Sequence, residues 1–358
     1  MIEPMRKYRI AAIPGDGIGK EVIAAGLEVL DVCARTDGGF ELGVEGFDWG
    51  SDYYKKHGSM MPLDGLVTLR KFDAIYFGAV GAPDVPDHVT LWGLRLAICQ
   101  PFDQYANVRP TRLLPGIQTP LRNAQPEDLD WVIVRENSEG EYAGHGGRSH
   151  RGLPEEVATE VSVFTRAGVT RIMRFAFELA RSRPRKLLTV VTKSNAQRHG
   201  MVMWDEIAAE VAREFPDVTC DKMLVDAMTV RMTLQPGSID TVVATNLHAD
   251  ILSDLAAALA GSLGIAPTAN YNPERTFPSM FEPIHGSAFD ITGKGVANPI
   301  GTFWSAQMML EHLGEKAAAA RLMRAIELAT ADQSLHTPDL GGKAKTAQVT
   351  AAVCAALE

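Results

Sequence analysis

The 358-residue chain is 46% hydrophobic and 22% charged, with 35 basic against 44 acidic residues and a formal net charge of -9. That length suffices for two domains and a sizeable core, and the composition excludes disordered and fibrous classes. The acidity argues against general affinity for nucleic acid or an anionic membrane, which needs clustered Lys and Arg, and no apolar run nears the roughly 20 residues of a membrane span.

The N-terminus, "MIEPMRKYRIAAIPGDGIG", begins like a strand and lacks the apolar core and cleavage site of a signal peptide. The cysteines, Cys33, Cys99, Cys220 and Cys354, are far apart and form no CxxC pair, so neither a zinc ribbon nor a disulfide framework is expected; a reducing cytoplasm fits.

In chain order, "YRIAAIP" predicts a strand and "GDGIGKEVI" a glycine turn opening a helix near Gly19. The glycines stand at 15, 17 and 19, so the G-x-G-x-x-G spacing of a Rossmann fingerprint is absent. The turn either lines a ligand with backbone or is purely structural. "FDAIYFGAV" predicts a second strand. "YANVRPTR" and the strand "DLDWVIVREN" place Arg109, Arg135 and Tyr142 at or just beyond strand ends, where open α/β sheets bind ligands. Singly, each arginine reads as a surface ion pair; together they suggest a carboxylate gripped by planar forks. Residues 139–159, "EGEYAGHGGRSHRGLPEEVAT", are too rich in Gly and charge for an ordinary connection and predict a protruding functional or interface arm.

"KLLTVVTK" ends a strand with Lys193, followed by Asn195. A partly desolvated lysine there could act as a base; a snorkelling lysine is the alternative. "LVDAMTV" puts Asp226 at another strand end, a candidate oxygen ligand, and "DTVVATN" predicts one more strand. "NLHADILSDLAAALAGSLG", 246–264, predicts one long helix whose only charges are Asp250 and Asp254, four apart on one face beside an apolar stripe. The helix dipole accounts for one acid, at about 0.3–1 kcal/mol, better than for two. Like charges at this spacing repel, which suggests a cation bound between them. "FEPIHGSAFDITGKGVANP" carries Glu282, His285, Asp290 and Asn298 on a polar, Gly-rich loop; an Asp there can accept two ribose hydroxyls, a pairing a 2'-phosphate would disrupt. Further helices are expected near Gly168, Gly200, Gly301 and Glu315. The alternation predicts an α/β protein with a largely parallel sheet.

The motifs "IPGDGIGKEV", "YANVRP", "VRENSEGEY", "TKSN", "VDAM", "ADILSDL" and "FEPIHGSAFDITGKGVANP" together resemble the β-decarboxylating dehydrogenases, which act on isopropylmalate, isocitrate, D-malate and tartrate, from about Arg9 to the C-terminus. "FDWGSDYY", "GAVGAPDVPDHVTLWG", "FDQYANVRP" and "NPERTFPSMFEPIHGSAFD" are most similar to tartrate-acting members, with D-malate enzymes next.

The resemblance implies an α/β, two-domain isocitrate/isopropylmalate dehydrogenase-like fold with a mixed sheet, not a Rossmann fold. Residues 1–104 plus 263–358 would form a large cofactor-binding domain, and 105–262 a small one carrying the metal ligands and, at about 139–159, the arm of a homodimer. Lys193 and Asp226 would complete the partner's site. Asp226, Asp250 and Asp254 resemble ligands of Mg2+ or Mn2+; a monovalent cation such as K+ is a further candidate cofactor. Arg109 and Arg135 resemble a clamp on a dicarboxylate substrate, with Asn195 and Asn246 close by. Lys193 resembles the base for the substrate hydroxyl, and Tyr142 the acid that protonates carbon after CO2 leaves. Ile13, His285, Gly286, Ser287, Ala288, Asp290 and Asn298 resemble the NAD site, with Asp290 and Ile291 matching the NAD-dependent members. The implied activity is oxidation and β-decarboxylation of tartrate and D-malate; the alternatives are a dedicated D-malate enzyme or a 3-isopropylmalate enzyme.

One departure stands out. Ten residues before Arg109, where most relatives have another carboxylate-binding arginine, this chain has Cys99. Arg95, one helical turn earlier, is expected to reach the substrate in its place, with a surface ion pair as the alternative. Leu91 and Trp92 fall where the family discriminates substrates, or are core.

Overall fold

The β-branched runs become strands in the computed structural model, which describes residues 5–358. In chain order these are β1 (Arg6–Gly15), β2 (Phe40–Gly46), β3 (Ala74–Ala79), β4 (Ala106–Arg112), β5 (Asp130–Glu136), β6 (Gly140–Ser149), β7 (Val157–Val163), β8 (Leu187–Thr192), β9 (Thr219–Leu224), β10 (Thr241–Ala244), β11 (Pro267–Tyr271) and β12 (Ser279–Pro283).

The chain divides into two compact units. The first takes the chain up to Gln104, Leu113–Arg122 and Ala257–Glu358; the second takes Tyr105–Arg112 and Asn123–Ala256. Residues 113–122 and 257–262, expected within the 105–262 segment, therefore pack in the first unit.

In the first unit the strands run β2-β1-β3-β12-β11, parallel except for β11 against β12. Every residue of β3 is buried, as expected for a parallel strand covered on both faces. Helix Gly19–Asp37 packs on this sheet through Val22, Ile23, Val29 and Leu30. The Gly301 and Glu315 signals correspond to helices Ile300–Leu313 and Lys316–Ala331.

In the second unit the order is β4-β5-β10-β8-β9, with only the β4–β5 pair antiparallel. Each unit thus carries a mixed arrangement of strands. Helices Arg166–Ser182 and Gly200–Ala212 bury apolar faces here, the first capped by the Thr165 side chain accepting from Gly168 N. The expected arm is an antiparallel hairpin, β6 with β7, extending to Val163, and most of its side chains are exposed.

The helix expected over 246–264 ends at Leu259. Gly261 has φ +118 and lies so close to Ile117 that a Cβ would meet its side chain at 2.4 Å. Ser262 then accepts from Gly264 N and starts a separate turn, Leu263–Ile265. Among the described residues, no helix is long and apolar enough to cross a membrane.

Candidate functional site

Three expected site residues of the second unit meet around the carboxylate of a fourth. Helix Asn246–Leu259 presents Asp250, and the guanidinium of Arg135, at the end of β5, pairs with its Oδ1. Arg109 Nη1 reaches the same oxygen at 3.1 Å, and the Tyr142 hydroxyl donates to Oδ2 at 3.2 Å. The Arg135 guanidinium also lies over the Tyr142 ring, 5.2 Å from its centroid. Arg109 comes from the middle of β4, opposite Ile133, and not from a strand end.

The arginines are held by neutral groups as well. Arg109 donates to Asn107 Oδ1 at 2.8 Å and to Ser253 Oγ at 2.6 Å, and Arg135 donates to Asn246 Oδ1 at 2.8 Å. Both are buried, so their forks are fixed in advance. The acid pair is therefore not without neutralising charge, as the helix alone suggested: Asp250 has two arginines from neighbouring strands. Asp254, one turn on, has no hydrogen-bond or ion-pair partner among the described residues. Partial desolvation, and next the charge of Asp250, hold its carboxyl above the usual range, against the pull of Arg109 and Arg135.

Lys193 follows β8 and pairs with Asp226, in the first turn of helix Val225–Leu234. This bond, before any other cause, lowers the Asp226 carboxyl below its usual range. Asn195, two residues after Lys193, is exposed. Among the described residues, no three His, Cys, Asp or Glu side chains gather so as to hold a metal, so Asp226 does not join Asp250 and Asp254 within one chain.

The expected cofactor residues lie in the first unit. Loop 285–298 follows β12; Gly286 and Asp290 are exposed, and Ser287 and Ala288 half-buried. His285 Nδ1 contacts the Gly286 carbonyl at 3.0 Å, while its Nε2 is buried with no partner among the described residues. Asn298 donates to Asp339 at 3.0 Å and caps Ile300 N. The Ile13 side chain is fully buried in the core with Phe77 and Leu94, which leaves its backbone and the turn after it to meet a ligand.

Arg95 is neither open to a substrate nor on the surface. Its Nε donates to Glu282 Oε1 at 2.8 Å and an Nη to Asn270 Oδ1 at 3.1 Å, with both charged side chains buried. Cys99, 1% exposed, packs with Leu94, Ile98 and Phe102. The cysteine at this departure is core, and Arg95 is committed to a buried acid. Trp92 is partly exposed and Leu91 half-buried.

Sequence reasoning missed Asn107, Ser253 and Glu136. Asn107 stands two before Arg109 on a strand and Ser253 three after Asp250 on a helix, spacings that share a face. Glu136 accepts from Ser138 N, Ser138 Oγ and Glu139 N, fixing the turn between β5 and the arm, and burial pushes its carboxyl up to about 7.

The isocitrate/isopropylmalate dehydrogenase family model matches residues 9–353. A protein of Agrobacterium vitis, named a probable tartrate dehydrogenase/decarboxylase, is 77% identical over 99% of this chain and 98% of its own. The decarboxylating D-malate dehydrogenase of Escherichia coli is 53% identical, covering 98% of each chain. The crystal structure of isocitrate dehydrogenase from Methylococcus capsulatus superposes with a TM-score of 0.87 at 35% identity, covering 98% of this chain and 99% of that one.

Proposed function

Because the chain belongs to the isocitrate/isopropylmalate dehydrogenase family, we propose that it oxidises and β-decarboxylates 2-hydroxy dicarboxylates, tartrate and D-malate, using NAD+ and Mg2+ or Mn2+. The observation that carries this reading is the convergence of Arg109, Arg135 and Tyr142 on Asp250, with Asp254 one turn away. Two carboxylates, one without a direct partner, suit a hard divalent cation, and Asp226 from a partner subunit would add a third oxygen donor. The unpartnered Nε2 of His285 and the exposed Asp290 suit an adenosine with free ribose hydroxyls.

When bound, the cation supplies electrophilic stabilisation of developing negative charge and NAD+ supplies the hydride acceptor. Arg109 and Arg135 bind a substrate carboxylate bidentately, exchanging Asp250 for it, which frees Asp250 as a ligand. Lys193, giving up its pairing with Asp226 as that carboxylate turns to the cation, accepts the proton of the substrate hydroxyl through water. After CO2 leaves, the Tyr142 hydroxyl gives its proton to the carbon that carried it. Where oxidation is not followed by decarboxylation, that proton stays on Tyr142. The shared use of Lys193 and Asp226 makes the working unit a homodimer, acting in the cytoplasm.

The 53% identity to a D-malate dehydrogenase supports the narrower alternative that D-malate is the one good substrate. Steady-state kcat/KM for D-malate, both tartrate forms and 3-isopropylmalate, followed as NADH, decides. Comparable values for tartrate and D-malate, with 3-isopropylmalate at least about tenfold lower, are expected. Turnover of D-malate alone selects the alternative, and no turnover of any rejects both.

A further inference from the structure

The turn "PGDGIG" has a use that the cofactor and substrate residues do not absorb. Asp16 within it is buried and accepts from Ser51 N at 2.7 Å, Ser51 Oγ at 2.6 Å and Gly81 N at 2.9 Å, which fixes the turn to the start of helix Ser51–His57 and to the segment after β3. From that anchored turn, Ile18 N donates to the Ser287 carbonyl at 2.8 Å. Gly17 has φ +54, and a Cβ there would meet the same carbonyl at 2.0 Å. One turn into the helix, Glu21 Oε1 accepts from Gly293 N at 2.5 Å. Ile18 and Val22 pack with Ala297, Ala288 and Ile291. Loop 285–293 is therefore gripped at both ends and beneath by one short segment.

The loop needs this grip. Ala288 sits at φ +39, a left-handed conformation that persists in an L residue only where its surroundings hold it, and Gly286, Asp290 and Gly293 are exposed. Gly293 N finds its acceptor not within the loop but on Glu21.

We propose that Glu21 is a positioning residue for dinucleotide recognition: by holding Gly293 it presets the backbone that carries Ser287 and Asp290, so that NAD affinity, and not the chemical step, depends on it. This rests on the reading of loop 285–298 as the adenosine site.

The experiment pairs NADH-fluorescence titration of the full-length protein with amide hydrogen exchange of the cofactor-free protein, for Glu21→Ala, Glu21→Gln and Asp290→Ala. Glu21→Ala is expected to weaken NADH binding about tenfold, the loss of a hydrogen bond to a charged acceptor. It should raise KM for NAD+ in step, leave kcat and the KM of the hydroxy acid within about twofold, and speed exchange of residues 286–293. Glu21→Gln, which keeps an acceptor oxygen, should lie within about threefold of the parent and carries the test if the alanine variant does not fold. Unchanged NADH affinity and exchange in Glu21→Ala, while Asp290→Ala weakens binding, would overturn the inference alone. Unchanged affinity in Asp290→Ala would overturn the assignment of the loop, and this inference with it.

Discussion

Arg95 shows how one residue's role turns on what surrounds it. One helical turn from Cys99, it reads from spacing as a substitute for a missing substrate-binding arginine, yet its guanidinium is buried against Glu282 and Asn270. Removing one member of a buried ion pair leaves the other charge uncompensated, which costs about 3–5 kcal/mol. Arg95→Ala is therefore expected to lower thermal stability by several degrees, with loss of activity following loss of fold. Denaturant unfolding checks this, and a variant with parental stability but impaired kcat/KM would restore the substrate-facing role. Asp250 carries the opposite lesson: the helix offers it no counter-charge, and strands β4 and β5 offer two. A charge pattern read along one element misses partners from its neighbours.

At the scale of elements, the turn after β5 stores a pH dependence. Glu136 has an ordinary value of 4.5 and is pushed up to about 7, by burial first, against the hydrogen bonds from Ser138 and Glu139. The folded protein binds this proton more tightly than the unfolded chain. The stability tied to the protonated form is therefore fully present below about 4.5 and lost as pH rises through about 7, on the order of 3 kcal/mol across the window. Unfolding free energy measured from pH 4.5 to 8 should show this fall, and Glu136→Gln should flatten it. An equal slope in both proteins would remove Glu136 as its source.

Element type was legible wherever periodicity was strong. The runs "YRIAAIP", "FDAIYFGAV", "DLDWVIVREN", "KLLTVVTK" and "DTVVATN" correspond to β1, β3, β5, β8 and β10, all central in their units. Strands β2 and β9, at the edges, and the exposed β6–β7 hairpin were not, because exposed strands need no continuous apolar run; nor were the buried β4, β11 and β12, whose short runs are broken by Pro and polar residues. Arg109, Arg135, Tyr142 and Asp250 were named from sequence and meet in space, whereas Asn107 and Ser253 became visible only when β4 and helix Asn246–Leu259 brought them to Arg109. A position near a functional motif says nothing about which way its side chain points: Ile13 and Cys99 both turn theirs into the core, which only the packed structure reveals.

For the whole molecule, the two units divide the work by chemistry. The second holds the arginines, acids, tyrosine and lysine suited to an anionic substrate and a cation; the first holds the loop suited to a dinucleotide and the helix that buttresses it. The proposed reaction draws on both sets of residues. The most direct measurement is parallel recording of NADH absorbance and CO2 release from D-malate with NAD+ by metal-stripped protein, titrated with Mn2+, for the parent and Asp250→Asn. Expected are equimolar NADH and CO2 in the parent, saturable in Mn2+ and absent with a chelator. Asp250→Asn should lose at least about a hundredfold in rate and bind Mn2+ more than about tenfold more weakly. Turnover indifferent to metal, or an Asp250→Asn variant with parental rate and Mn2+ affinity, would contradict the account at its centre.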